Sequence, residues 1–130
     1  MPFSVQITEG IKITVEPGYR EDLSQIENNS FIFNYRVTVT NTNNFTVQLL
    51  LRDWYIFDSL SEIRIVSGEG VIGQQPILKP GESFSYTSGC DLNSEIGFMK
   101  GYYTFKRLDD GELFRVTVPV FNLEFPAKLN

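Results

Sequence analysis

The stretch best suited to chemistry is GEGVIG, residues 68–73, where Gly68, Gly70 and Gly73 stand at the G-x-G-x-x-G spacing of a dinucleotide-binding turn. That turn works when it follows a strand and opens a helix, because the helix N-terminus supplies the N–H groups and partial positive charge that hold a pyrophosphate. EIRIVS before it reads as a strand. QQPILKPGE after it does not read as a helix, since Pro76, Pro80 and Gly81 interrupt every turn. The acidic residue expected about twenty positions on finds only Asp91, in an expected loop. No Gly-Lys-Ser/Thr follows, which excludes a Walker-type loop. The glycines are therefore read as shaping a turn with positive φ, or as letting backbone pass close by. One functional alternative stays open, because consecutive N–H groups in a glycine-rich turn form an anion-binding nest without any helix.

Other reactive residues are few. The chain has no histidine, which removes Ser-His and Cys-His pairs and the commonest zinc ligand. Cys90 in TSGCDL then reads as a small buried residue rather than a nucleophile. Asp53, Asp58, Glu62, Glu69, Asp91 and Glu95 fall near expected loops or strand ends, without the spacing of a cation cage. Neither a metal site nor a cofactor site is assigned, and no catalytic set is visible. Trp54 reads as the central core aromatic, with Arg52 and Asp53 on the wet side or around a bulge. Lys100, Lys106, Arg107 and Arg115 are expected to share one strand-pair surface, the only hint of an anion-facing patch.

The elements that must position these residues follow a period of two. Phe33, Tyr35, Val37 and Val39 alternate with polar residues, as do Ile11, Ile13 and Val15, and Phe114, Val116, Val118 and Val120. Such alternation marks strands with one face in a core. Further strands are expected at about 4–8, 46–57, 62–67, 83–88 and 98–107, the 46–57 and 98–107 runs being rich in aromatic and β-branched residues. Turn chemistry separates them: PGY at 17–19, NTNN at 41–44, KPGE at 79–82 and DDGE at 109–112, where Asp110-Gly111 predicts a type I′ hairpin turn. REDLSQIENNS reads as a loop. Pro119, inside a good strand pattern, predicts an edge position or a bulge. The architecture expected is all-β, an antiparallel sandwich of immunoglobulin or fibronectin type III kind with about seven or eight strands, forming one domain over residues 1–130.

The net charge of −5 argues against free nucleic acid as a partner. One cysteine allows no internal disulfide and favours a reducing compartment. No signal peptide and no apolar run of about 20 residues is present, so the expectation is a cytoplasmic protein without a membrane partner.

The order of the motifs carries a resemblance. VQLLLRDWYIFDS, VSGEGVIGQQPILKPGESFSYTSG, GFMKGYYTF and FRVTVPVFNLEFPAKLN resemble the bacterial ApaG family, also called CorD, over nearly the whole chain. The resemblance implies a fibronectin type III-like sandwich and a domain that mediates protein contacts. It also implies a link, through gene neighbourhood, to diadenosine tetraphosphate hydrolysis and to magnesium and cobalt tolerance. Many relatives carry a histidine where this chain has Asp53, which weakens any role built on that histidine. The functional expectation is a non-enzymatic module, monomeric or homodimeric, that binds another protein, with weak binding of an anion such as pyrophosphate as a further expectation. Its candidate surface is Gly68, Glu69, Gly70, Gly73, Gln74 and Gln75, with Ser88 and Gly89 in a second expected loop. The alternative is a nucleotide- or pyrophosphate-binding protein, or a diadenosine-polyphosphate enzyme, using the Gly68–Gly73 loop.

Overall fold

The computed structural model of the protein describes residues 3–126; the first two residues and the AKLN that ends the last motif stretch lie outside them. Its strands are β1 (Ser4–Thr8), β2 (Ile11–Tyr19), β3 (Phe31–Asn41), β4 (Val47–Asp58), β5 (Arg64–Glu69), β6 (Ile77–Leu78), β7 (Ser83–Leu92), β8 (Ile96–Arg107) and β9 (Leu113–Glu124). All eight strands expected from the alternation are present. The ninth, β6, spans two residues and is too short for a period to announce it. A 3-10 turn, Ile26–Asn28, lies within the expected REDLSQIENNS loop.

Pairing is antiparallel throughout, giving one sheet in the order β1-β2-β3-β7 and a second in the order β5-β4-β8-β9, with β6 on the same edge of β4 as β5. The inward residues of both sheets merge into one core, in which Phe33, Tyr103, Phe105 and Phe121 are fully buried. Trp54 is buried among them, edge-on to Tyr35 at 5.5 Å and to Tyr103 and Phe121 at 6.0 Å between ring centres. The sandwich of fibronectin type III and immunoglobulin kind is thus the observed fold, with the tryptophan on a central strand as in immunoglobulin domains.

Three local expectations resolve differently. PGY is not a turn: Pro17, Gly18 and Tyr19 continue β2 opposite Tyr35, Asn34 and Phe33. Because β1 pairs only as far as Val15, β2 is an outer strand at Pro17, where a missing N–H leaves no gap in the ladder. DDGE does make the β8–β9 hairpin, but without a type I′ turn. Gly111 alone has positive φ (76°), and Arg107 receives the Gly111 N–H and donates its own to Glu112, closing a four-residue loop over 108–111. Asp91 lies in β7 rather than in a loop.

Pro119 satisfies both readings given to it. It lies on β9, the edge of its sheet, and the register slips there, with Met99 facing Phe121 but Gly101 facing Val118.

The second irregularity matters more. In β4 the register shifts between Leu49 and Leu51, so Leu50 is an extra residue with no partner on β8. A bulge reverses the parity of a strand. Val47 and Leu49 face the core before it; Trp54, Ile56 and Asp58 face inward after it. Arg52 shares the parity of Trp54. It therefore lies on the inner side of the sheet, not the wet side.

Candidate functional site

The glycine stretch closes on that bulge. The Gly70 N–H donates to the Leu50 carbonyl at 2.7 Å, and the Gln75 side-chain amide donates to the same oxygen at 3.0 Å. The Gln48 side chain bonds the Gln75 carbonyl, and the Leu49 N–H bonds the Pro76 carbonyl. The extra carbonyl that the bulge leaves without a ladder partner is thereby satisfied from residues 70–75. Between these points Val71 and Gln74 exchange N–H donors at 2.8 and 2.9 Å, a two-residue hairpin. Its central residues, Ile72 (φ 42°) and Gly73 (φ 77°), both have positive φ, the signature of a type I′ turn. The turn assigned by sequence to Asp110-Gly111 belongs here instead.

Each glycine of the motif has a local cause. Gly70 (φ 64°) is buried against the turn, and a Cβ there would meet the Gln74 carbonyl oxygen at 2.2 Å. Gly73 supplies the second positive φ of the turn. Gly68 faces Arg52 across the β4–β5 ladder, and a Cβ there would stand 2.9 Å from both terminal nitrogens of its guanidinium. Arg52 Nη1 in turn donates to the Glu69 and Gly70 carbonyls at 2.9 and 3.0 Å. The loop thus directs two carbonyls at a cation, while the Gly70, Val71 and Gln74 amides are bonded to backbone.

The sequence-predicted site residues divide between strands and turn. Gly68 and Glu69 end β5; Gly70, Gly73, Gln74 and Gln75 form the turn; Ser88 and Gly89 lie within β7 and not in the expected second loop. β5 and β7 are the last strands of opposite sheets. Between their inner faces lies a cavity of about 330 Å³ lined by Gly89 and Ser88 on one side and by Arg52, Val66 and Val71 on the other. Tyr35, Trp54, Ile56 and Met99 also line it. Arg64 of β5 reaches across its mouth to Asp91 of β7, with Nη1 at 3.1 Å from Asp91 Oδ1 and Nη2 on the Asp91 carbonyl. The sequence alone missed Arg52 and Arg64 as cavity residues; the signal for Arg52 was the break of alternation in LLLRDW, where the bulge falls.

Burial governs titration here. Burial raises the Tyr35 hydroxyl against a Ser88 hydrogen bond and the charge of Arg52, and it raises Tyr86 and Tyr103 as well. The Tyr86 and Tyr103 hydroxyls bond each other. Burial pushes the Cys90 thiol up to about 11, although Arg64 lies beside it. Cys90 is buried, as its sequence context suggested.

Three of the six candidate carboxylates, Asp53, Asp58 and Asp91, are held by structural partners. Asp53 accepts from the Ser67 hydroxyl at 2.7 Å on the outer face, and Asp91 pairs with Arg64. Asp58 accepts from the Leu60 N–H (3.2 Å), the Asn93 N–H (2.6 Å) and the Ser94 hydroxyl (2.5 Å), joining the loop after β4 to the β7–β8 loop. Burial pushes its pKa up, but these donors outweigh it and hold the carboxyl below its ordinary range. Glu62 and Glu95 are exposed. No group of three or more metal-ligating side chains occurs among the described residues.

Of the four cations assigned to one surface, three share it. Lys100 and Lys106 of β8 and Arg115 of β9 face outward, with Lys100 over Phe57 (5.6 Å) and Arg115 over Tyr102 (4.1 Å). Arg107 has the opposite parity; it stacks on Phe45 at 3.8 Å and binds Asp109 at 2.6 Å. No helix among the described residues is long and apolar enough to cross a membrane.

Comparison with known proteins agrees with this architecture. A family model described as the ApaG domain matches residues 21–107, which hold the turn, both arginines and β7. Protein ApaG of Brucella canis is 44% identical over 122 residues, covering 94% of this chain and 93% of that protein. Protein ApaG of Brucella anthropi shows the same identity and coverage. A crystal structure of a Bordetella pertussis protein named ApaA superimposes with a TM-score of 0.85 at 36% identity, over 98% of both chains. Those names state no reaction. On the family match over residues 21–107, the sequence identity and the matched sandwich together, the chain belongs to the ApaG family.

Proposed function

We propose that this chain is a non-enzymatic binding module that engages another protein through the rim formed by the 70–75 turn and the adjoining ends of β5 and β7. The observation that carries the reading is Ile72. It is a β-branched residue at φ 42°, at the apex of the turn, with 56% of its surface exposed. Such a backbone conformation costs on the order of 1–3 kcal/mol for a non-glycine residue. Asparagine or glycine would fill the position without that strain. More than half of this isoleucine is left in water, and a partner that covers it recovers the burial of its side chain. The protonated Cys90 and the structurally occupied Asp53, Asp58 and Asp91 add support, because each has a role in holding the fold.

The pyrophosphate alternative rests on three amides of the turn, since Ile72, Gly73 and Gln75 are those without a backbone acceptor among the described residues. A photoreactive side chain placed at exposed Gln74, in the turn, should cross-link a discrete protein in native cell extract. The same group at exposed Glu16, on the outer face of the other sheet, should not. Ile72→Asn should raise the melting temperature by about 3–5 °C, the effect of relieving roughly 1 kcal/mol of strain, while lowering cross-link yield several-fold. Equal cross-linking from both positions, or a yield indifferent to Ile72→Asn, contradicts the reading.

A further inference from the structure

Charge in the cavity between β5 and β7 is not balanced. Arg64 is matched by Asp91 at its mouth. Arg52 forms no ion pair among the described residues, and its bonds go to two neutral carbonyls through Nη1 alone. Nε and Nη2, the edge of the guanidinium that binds a carboxylate side-on with two parallel hydrogen bonds, have no acceptor among the described residues. The guanidinium is also held in place. Gly68 leaves the space it lies in, and the Glu69 and Gly70 carbonyls anchor its far end. The surfaces around it are mixed, and Trp54, Ile56, Val66 and Met99 supply the apolar part of the lining.

We propose that this cavity is a binding site for a small organic monocarboxylate carried on an apolar, aromatic-sized body. The carboxylate takes the Nε–Nη2 edge of Arg52, and the apolar body lies against Trp54, Ile56 and Met99. One unbalanced guanidinium matches one negative charge. A polyphosphate would bring several charges to a site whose second cation, Arg64, is already paired with Asp91. The size agrees: about 330 Å³ is near the lower end of the roughly 300–1,000 Å³ typical of ligand pockets, enough for one ring and a short acid arm. Gly68 is then a positioning residue, which acts by giving Arg52 its place. The site adjoins the protein-partner surface, because Val71 and Ile72 of the turn also line the cavity, but its ligand is a small molecule bound at Arg52 and does not depend on the partner reading.

Trp54 is the chain's one tryptophan and lines the cavity, so its emission reports occupancy. Phenylacetate should change that emission with a Kd between about 0.1 and 1 mM, the range open to so few atoms. Phenylacetamide, of the same shape without the charge, should bind roughly tenfold or more weakly. Arg52→Met should weaken phenylacetate by a similar factor, and so should Gly68→Ala, whose methyl displaces the guanidinium while keeping its charge. Gly68 has no positive φ, so the alanine chain folds even if Arg52→Met does not. Val66→Phe, filling the space from a partly exposed position, should abolish the response. The proposal is overturned by an unchanged emission up to about 10 mM phenylacetate, by equal affinity for the amide, or by binding that Gly68→Ala and Val66→Phe leave intact. Binding of pyrophosphate or ATP without phenylacetate would also overturn it, in favour of a polyphosphate site. Cross-linking at the rim is a separate readout, so either conclusion can fail without the other.

Discussion

At Asp58 three donors converge on one carboxylate that the fold has largely removed from water. Its folded-state pKa lies below the ordinary value of about 3.9. The stability it contributes is therefore complete above that value and is lost as pH falls through the folded one. Asp58→Asn should lower stability at neutral pH by roughly 1–3 kcal/mol, because a hydrogen-bonded charge is replaced by a group that cannot accept from all three donors. Melting curves between pH 2 and 7 should show the gap between the two chains closing at the acid end; a gap independent of pH would mean that packing, not ionisation, is at stake. Single residues were legible in the sequence where their neighbourhood is local. Trp54 and Cys90 were read as buried from their strand context, and both are. Arg52 was not legible as a cavity residue, since its direction depends on a bulge two positions earlier.

The turn over residues 70–75 is where element and motif meet. Its glycines differ in what they prevent, which ranks their replacement. Gly70→Ala places a methyl 2.2 Å from a backbone oxygen and at positive φ, so the turn itself must move. Gly73→Ala meets open space and carries only the left-handed backbone cost of about 1–2 kcal/mol. Chemical denaturation should find Gly70→Ala the more damaging by at least about 1 kcal/mol. Comparable losses would mean that the turn yields without cost. Strands were the most readable elements, because alternation is a property of the sheet face itself. Turn types were not: positive φ at Ile72 is imposed by the bulge that the turn must cap, and no local preference of isoleucine announces it. Pro17 misled in the same way, since its place at an outer edge depends on where β1 stops.

For the molecule as a whole, two sheets are joined in the core by packing and by buried polar bridges, among them the bond between Tyr86 of β7 and Tyr103 of β8 and the Asn41 side-chain amide of β3 donating to the Leu78 carbonyl of β6 at 3.0 Å. Tyr103→Phe should cost about 1–3 kcal/mol by leaving a buried hydroxyl without its partner, whereas Tyr86→Phe with Tyr103→Phe should cost no more than the single change. Urea denaturation of both singles and the double closes that cycle, and strict additivity would refute a direct bond. The sandwich also has two unlike sides. β9 packs against β1 and β2 on one, while β5 and β7 leave a cavity between them on the other. The period-two reading established two sheets but could not place this opening, because which strands end each sheet depends on long-range order.

The pairing of Gly68 with Arg52 has a consequence for sequence change in this fold. Glycine is required at 68 only while a guanidinium lies over it, so the two positions share a single constraint. A chain that exchanged Arg52 for a short side chain would be released to place alanine, serine or valine at 68, and a strand gains from each of them. Among relatives, substitution at the first glycine of the motif should therefore travel with loss of the arginine, while the second glycine, held by backbone alone, should vary independently of both.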